Sequence, residues 1–261
     1  MTCACVPRYA GQVASDRTRR TKSMLLEIIA TSVADAITAE RNGADRIELI
    51  SGIREGGVTP SFGLIEQVLA AVSIPVRVMV RPHAQSFHYD RYDAQTMLAD
   101  IRMIRRLRPD GVVLGPLTPD GAVDRELLER LLEACGGELR VTFHRAFDEL
   151  ADQVEALRCL AAAYPAIDRV LTSGGRPSVL DSAARIRELV AAAAGIAAAD
   201  GTGIRVLAGS GLTVETLDGF IGATGVLEVH LGTGVRVGAD PLAPIDPARV
   251  RAAADIVARY R

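Results

Sequence analysis

Leu139-Arg140-Val141-Thr142-Phe143-His144-Arg145-Ala146-Phe147-Asp148 is the stretch on which the reading of this chain turns. Its first half is apolar and β-branched enough for a core strand. Its second half places a histidine, an arginine and an aspartate within five positions, which core packing does not ask for. A strand ending in an acid–base residue, a fixed cation and a carboxylate has the form of one wall of a site. The bland alternative is a salt bridge at a strand end, and the remaining strands decide between the two.

Working outward, short β-branched runs alternate with longer helical patterns, the signature of a parallel sheet wound with helices. The predicted strands are Leu25–Ala30, Arg46–Ile50, Val76–Arg81, Gly111–Gly115, Leu139–Arg145, Arg169–Ser173, Arg205–Ala208 and Val226–Leu231. Between them, helices are predicted over about Ser32–Asn42, from Thr59-Pro60-Ser61 onward, and over Asp93–Leu107, Asp124–Ala134, Leu150–Ala163, Ser178–Ala194, Thr213–Ile221 and Asp246–Tyr260. Eight strand–helix units in 261 residues make an α/β chain of the (β/α)8 TIM-barrel type, in preference to an open doubly wound sheet. No linker divides residues 24–261, which read as one barrel domain. Residues 1–23 form a polar leader without the apolar run of a secretory signal, expected to be disordered, and Met24 stands just before the first strand as an alternative start.

Composition narrows the function. A formal charge of −2 gives no pull toward nucleic acid or an anionic membrane, and 4% aromatic residues are too few for base-stacking platforms. No stretch is long and apolar enough to span a membrane, so the cytoplasm is the expected compartment. Lys22 is the only lysine and lies in the leader, so a Schiff-base mechanism on a strand lysine is excluded. Cys135 and Cys159 fall in amphipathic helical patterns as small apolar side chains, while Cys3 and Cys5 form a C-x-C pair in the leader.

In a barrel, polar residues near the carboxyl ends of the strands converge on one mouth. Here they are Glu27, Glu48, Arg81, His144, Arg145, Glu228 and His230. Alternation along a strand puts Glu228 and His230 on one face but sends His144 and Arg145 to opposite faces. His144 is therefore expected to face the mouth, with Arg145 reaching it only if the strand has already ended. Glu27 and Glu48 are expected to answer Arg81, Arg145 or a ligand. The structural alternative is a self-satisfied ion-pair lattice holding the barrel together. Gly209-Ser210-Gly211 and Gly232-Thr233-Gly234 follow the last two strands, where such folds bind phosphate through backbone N–H groups, and Ser173 adds a hydroxyl to the same mouth. Asp148 either joins the site or caps the helix near Leu150. The loop Arg81–Asp90 is long, carries His83 and His88, and has the reach of a lid. The cluster Arg102, Arg105, Arg106 and Arg108 complements a helix C-terminus.

Taken together, Leu26-Glu27-Ile28, Asn42 to Leu49, Gly56 to Ser61, Arg81-Pro82, Thr142 to Asp148, Leu171 to Gly174 and Leu227 to His230 resemble the CutC family of copper homeostasis. The resemblance runs from Leu25 to about Gly234 and implies a TIM barrel, a homodimer or larger homo-oligomer, and a link to copper. Relatives commonly carry cysteines after the first two strand glutamates, where this chain has Ile29, Ala30 and Ile50, and they differ at His83, Ser86 and His88. Two functions follow. On the family's side, a copper homeostasis protein would bind the metal through Glu27, Glu48, His144 and His230. On the side of the residues, an enzyme would act on a small anionic or phosphorylated metabolite. Arg81 and Arg145 would fix the anion, assisted by Asp148, Ser173, Gly209, Gly211, Gly232 and Gly234, with His144 or His230 as acid and Glu27 or Glu48 as base.

Overall fold

A computed structural model describes residues 24–200 and 203–261. The leader, with Cys3, Cys5 and Lys22, lies outside them. The strands are β1 (Leu25–Ala30), β2 (Arg46–Leu49), β3 (Val76–Met79), β4 (Gly111–Leu114), β5 (Arg140–Phe143), β6 (Ile167–Thr172), β7 (Arg205–Gly209) and β8 (Glu228–Leu231). All pair in parallel with their sequence neighbours, and β8 pairs with β1 to close the barrel. The helices α1 (Val33–Arg41), α2 (Phe62–Ala71), α3 (Arg91–Leu107), α4 (Arg125–Cys135), α5 (Gln153–Ala163), α6 (Ala183–Asp200), α7 (Val214–Thr224) and α8 (Pro247–Ala258) follow their strands in order. The chain is a (β/α)8 TIM barrel.

Local chemistry sets where the helices begin. Ser32, Ser61, Asp124 and Asp152 each accept a backbone N–H from the first turn of the helix they cap, and Asp90 with Asp93 makes a reciprocal capping box for α3. That box starts α3 two residues before the expected Asp93. Strand ends differ more. β3 stops at Met79 rather than Arg81, and β5 stops at Phe143 rather than Arg145, because a 3₁₀ turn over Arg145–Glu149 takes up the backbone there. That same turn delays α5 from Leu150 to Gln153. No described helix is long and apolar enough to cross a membrane.

The apolar core lies between sheet and helices, and the lumen of the barrel is filled differently at its two ends. At the amino-terminal end the filling is ionic. Glu228, fully buried, takes Arg46 (3.2 Å), Arg169 (3.2 Å) and Arg205 (3.3 Å). Arg46 also binds Glu27, while Arg77 reaches Asp110 (2.6 Å) and Asp168 (3.1 Å) and Arg169 closes the ring on Asp168. Burial opposes the charge on Asp168, but Arg77 and Arg169 overcome it and hold this carboxyl down at about 2. The lattice alternative thus describes the lower lumen, but its arginines are Arg46, Arg77, Arg169 and Arg205. Neither Arg81 nor Arg145 pairs with Glu27 or Glu48, because both stand beyond the strand ends, a layer above the lattice.

Candidate functional site

Above the lattice the lumen opens into a cavity of about 650 Å³ at the carboxyl ends of the strands. Glu48 and His230 form part of its floor, with Ile29, Ile50, Met79 and Leu171 as apolar walls. His144, Arg81 and Phe87 stand on the side of β3 and β5, and Arg145 and Arg176 on the β5–β6 side.

Glu27, His230 and Glu48 form a chain across β1, β8 and β2. His230 Nδ1 lies 2.7 Å from Glu27 Oε1, and His230 Nε2 lies 3.7 Å from Glu48 Oε2. Burial opposes the charge on Glu27, but Arg46 and His230 overcome it and hold this carboxyl well below the usual carboxylate range. A carboxylate so fixed accepts from Nδ1–H, which aims Nε2 at Glu48. Burial also opposes a charged imidazole, yet Glu48 and Glu27 together raise the affinity of His230 for its proton. Glu48 goes the other way. Burial pushes it up to about 7, with the Glu27 charge adding to the effect and His230 and Arg46 opposing it, and its Oε1 has no hydrogen-bond partner. Glu48 is thus a carboxyl able to give or take a proton near neutrality.

His144 is a different histidine. It is fully enclosed, and burial, followed by the charge on Arg81, lowers it to about 3, so the ring is neutral throughout the physiological range. Its Nδ1 accepts the Ala146 backbone N–H (3.2 Å), so the proton sits on Nε2, which has no partner. The ring packs against Phe87 at 4.8 Å and against Gly115, where an added Cβ would fall 2.6 Å from Nδ1. Gly115 therefore makes room for the imidazole.

Arg145 reaches the mouth because β5 has ended, which resolves the alternation problem in favour of both residues. Asp148 is not a helix cap, since Asp152 caps α5. Its carboxylate instead binds Arg145 Nε (2.9 Å), Ser173 Oγ (2.8 Å) and the backbone N–H of Ser173 and Gly175. Ser173 accepts from Arg145 Nη2 at 3.0 Å. Asp148 lines the cavity and Ser173 does not, and together they set the direction of Arg145. Arg81 is held by the carbonyls of Glu55 (3.3 Å) and Gly57 (3.2 Å), with its guanidinium 4.6 Å from the Phe87 ring centroid.

Of the glycines, Gly211 and Gly232 line the cavity while Gly209 and Gly234 do not. A Cβ on Gly234 would lie 2.1 Å from the Leu212 carbonyl oxygen, so close packing of the β7 and β8 loops accounts for that residue. In the β3 loop, His83 pairs with Asp93 (3.2 Å) and neither His83 nor His88 lines the cavity, whereas Phe87 does. Sequence reasoning alone misses Phe87, Met79 and Arg176. Phe87 carried a signal, being the one aromatic residue between His83 and His88.

A TIM barrel with a buried carboxylate–imidazole–carboxylate chain at the floor of its open mouth is the class of protein these features define. The chain belongs to the CutC family, whose pattern matches residues 24–235. It is 43% identical over 211 residues to the family protein CutC of Salmonella typhimurium, covering 81% of this chain and 80% of that one. Among solved structures, the CutC of Streptococcus agalactiae, named for copper homeostasis, superposes with a TM-score of 0.70 at 31% identity, over 79% of this chain and 97% of that one. Phosphoribosyl anthranilate isomerase from Thermococcus kodakaraensis, at 13% identity and a TM-score of 0.60 over 90% and 98% of the two chains, shares the fold.

Proposed function

We propose that this CutC-family barrel is an enzyme that moves protons on a small anionic metabolite held in its mouth. The observation that carries the reading is Glu48, a buried carboxyl at the cavity floor with one free oxygen, backed by His230 and Glu27. Glu27 is committed to Arg46 and His230, so Glu48 is the general acid–base and His230 the relay behind it. Arg145, steadied by Asp148 and Ser173, offers the anion a cation at the rim, and Gly211 and Gly232 contribute backbone turns to the same cavity. The test is to incubate the protein with the small-molecule fraction of a bacterial extract and follow it by mass spectrometry. An anionic metabolite should be consumed by wild type and spared by Glu48→Gln, and identical profiles for the two proteins would end this reading.

A second reading, a metal site, has one observation in its favour: ligand atoms of Glu27, Glu48 and His230 lie within 4.8 Å of one another. The donors do not fit copper(I). With Glu27 already bonded to Arg46 and His230, only Glu48 and His230 Nε2 face the cavity, and no cysteine among the described residues lines it. His144 stands across the lumen, just after β5, and is absent from the group. In a calorimetric titration, copper(I) is expected to bind wild type no better than a Glu27→Gln/His144→Ala variant. Tight stoichiometric binding lost in that variant would restore the copper site.

A further inference from the structure

We propose that the reaction is proton abstraction from carbon beside a carbonyl, with His144 as the neutral hydrogen-bond donor that holds the developing oxyanion; this rests on the acid–base reading above. The argument comes from which polar atoms of the cavity lack partners and where they stand. Among the lining residues, Glu48 Oε1 and His144 Nε2 are buried without partners. The nitrogen is a donor, since His144 Nδ1 is already an acceptor for Ala146 N–H. A buried donor left without a partner is costly, and the group that satisfies it is an acceptor.

The strand order places them usefully. His144 follows β5, while Glu48 lies on β2 and its relay His230 on β8. In a closed ring of eight strands, β5 stands opposite β1, the strand between those two. A small molecule across the lumen therefore meets the His144 donor on one side and a proton acceptor on the other. A carbonyl or carboxylate oxygen fits the donor side, and the C–H bond next to it faces Glu48. A neutral imidazole suits this task, because imidazolium would give its proton away and a neutral Nε2–H only polarises. The Ile29, Ile50, Met79 and Leu171 walls keep water from competing for the oxyanion.

The step balances without an outside reagent. The C–H proton passes to the Glu48 carboxylate, the C–H electron pair becomes the carbon–carbon double bond of an enolate, and the carbonyl pair moves to the oxygen held by His144. Return of the proton from Glu48 to the same carbon gives exchange; where that carbon also bears a hydroxyl, passage of the hydroxyl proton to the other oxygen lets Glu48 return its proton to the former carbonyl carbon and isomerises the molecule, with no net oxidation.

The experiment repeats the extract incubation in D2O and reads carbon-bound deuterium by mass spectrometry and proton NMR. Wild type should place a non-exchangeable label, one mass unit heavier, on a carbonyl-bearing anion. His144→Leu, which keeps bulk and removes the donor, should slow labelling at least about 100-fold. His144→Gln, whose carboxamide restores an N–H, should keep at least about a tenth of the rate. Consumption of a metabolite without carbon-bound deuterium overturns this proposal and leaves the acid–base reading standing, whereas no change in any metabolite overturns that reading itself. Labelling by His144→Leu as fast as by wild type removes His144 from the mechanism.

Discussion

Glu48→Gln is expected to give a folded barrel that turns its substrate over about 10²–10⁴-fold more slowly and is more stable than wild type above neutral pH. The two effects have one origin. Burial raises the Glu48 carboxyl from 4.5 to about 7, so the folded protein holds a proton there that the unfolded chain has released. Stability therefore falls as pH rises from 4.5 through about 7 and stays lowered beyond it. At about 1.4 kcal/mol for each tenfold gain in proton affinity on folding, the penalty is on the order of 3 kcal/mol. Glutamine never ionises and escapes it. Urea unfolding at pH 5 and pH 8 checks this: the variant should gain over wild type at pH 8 and much less at pH 5. For wild type, kcat/KM should climb with pH through about 7 as Glu48 becomes a base. A variant less stable than wild type at pH 8 would mean that Glu48 is a structural ion after all.

Glu228→Gln should do the reverse, costing about 3–5 kcal/mol of folding stability without touching the mouth. The exchange is nearly isosteric, so it opens no cavity. It removes the carboxylate that Arg46, Arg169 and Arg205 share, and at least two of those guanidinium groups are wholly enclosed. Breaking a buried pair leaves an uncompensated charge, unlike the exposed pair Arg185–Glu188, whose loss changes little. The urea midpoint of Glu228→Gln measures it, and a loss under about 1 kcal/mol would show that the lattice fills space more than it binds.

The contrast between these glutamates marks what could be read in the sequence. Strand count, parallel order and barrel closure followed from β-branched runs alternating with helical patterns, a signal carried by local sequence. Which glutamates carry chemistry did not follow. Glu27, Glu48 and Glu228 look alike as charges in apolar strands, and what separates them is which guanidinium lies beside each on a neighbouring strand, a property of register. The signal was nonetheless present: arginine stands at or near the start of β2, β3, β5, β6 and β7, at Arg46, Arg77, Arg140, Arg169 and Arg205. A basic layer repeated around a sheet calls for an acidic complement. Arg81 and Arg145 drew that pairing instead because the ends of β3 and β5 were placed two residues late. The neutrality of His144 was beyond sequence reading too, since it depends on enclosure by Phe87 and on the fit against Gly115.

The lattice also bears on how the chain comes to its final form. Arg46 and Glu228 are 182 residues apart and Glu27 and His230 are 203 apart, so these bonds exist only once the last strand has slotted between the first and the seventh. Until then several arginines face one another in a half-made lumen short of their central carboxylate. Partial barrels that lack β8 are thereby penalised by uncompensated charge. One glutamate near the end of the chain thus serves as a latch that tests whether everything before it has folded in register.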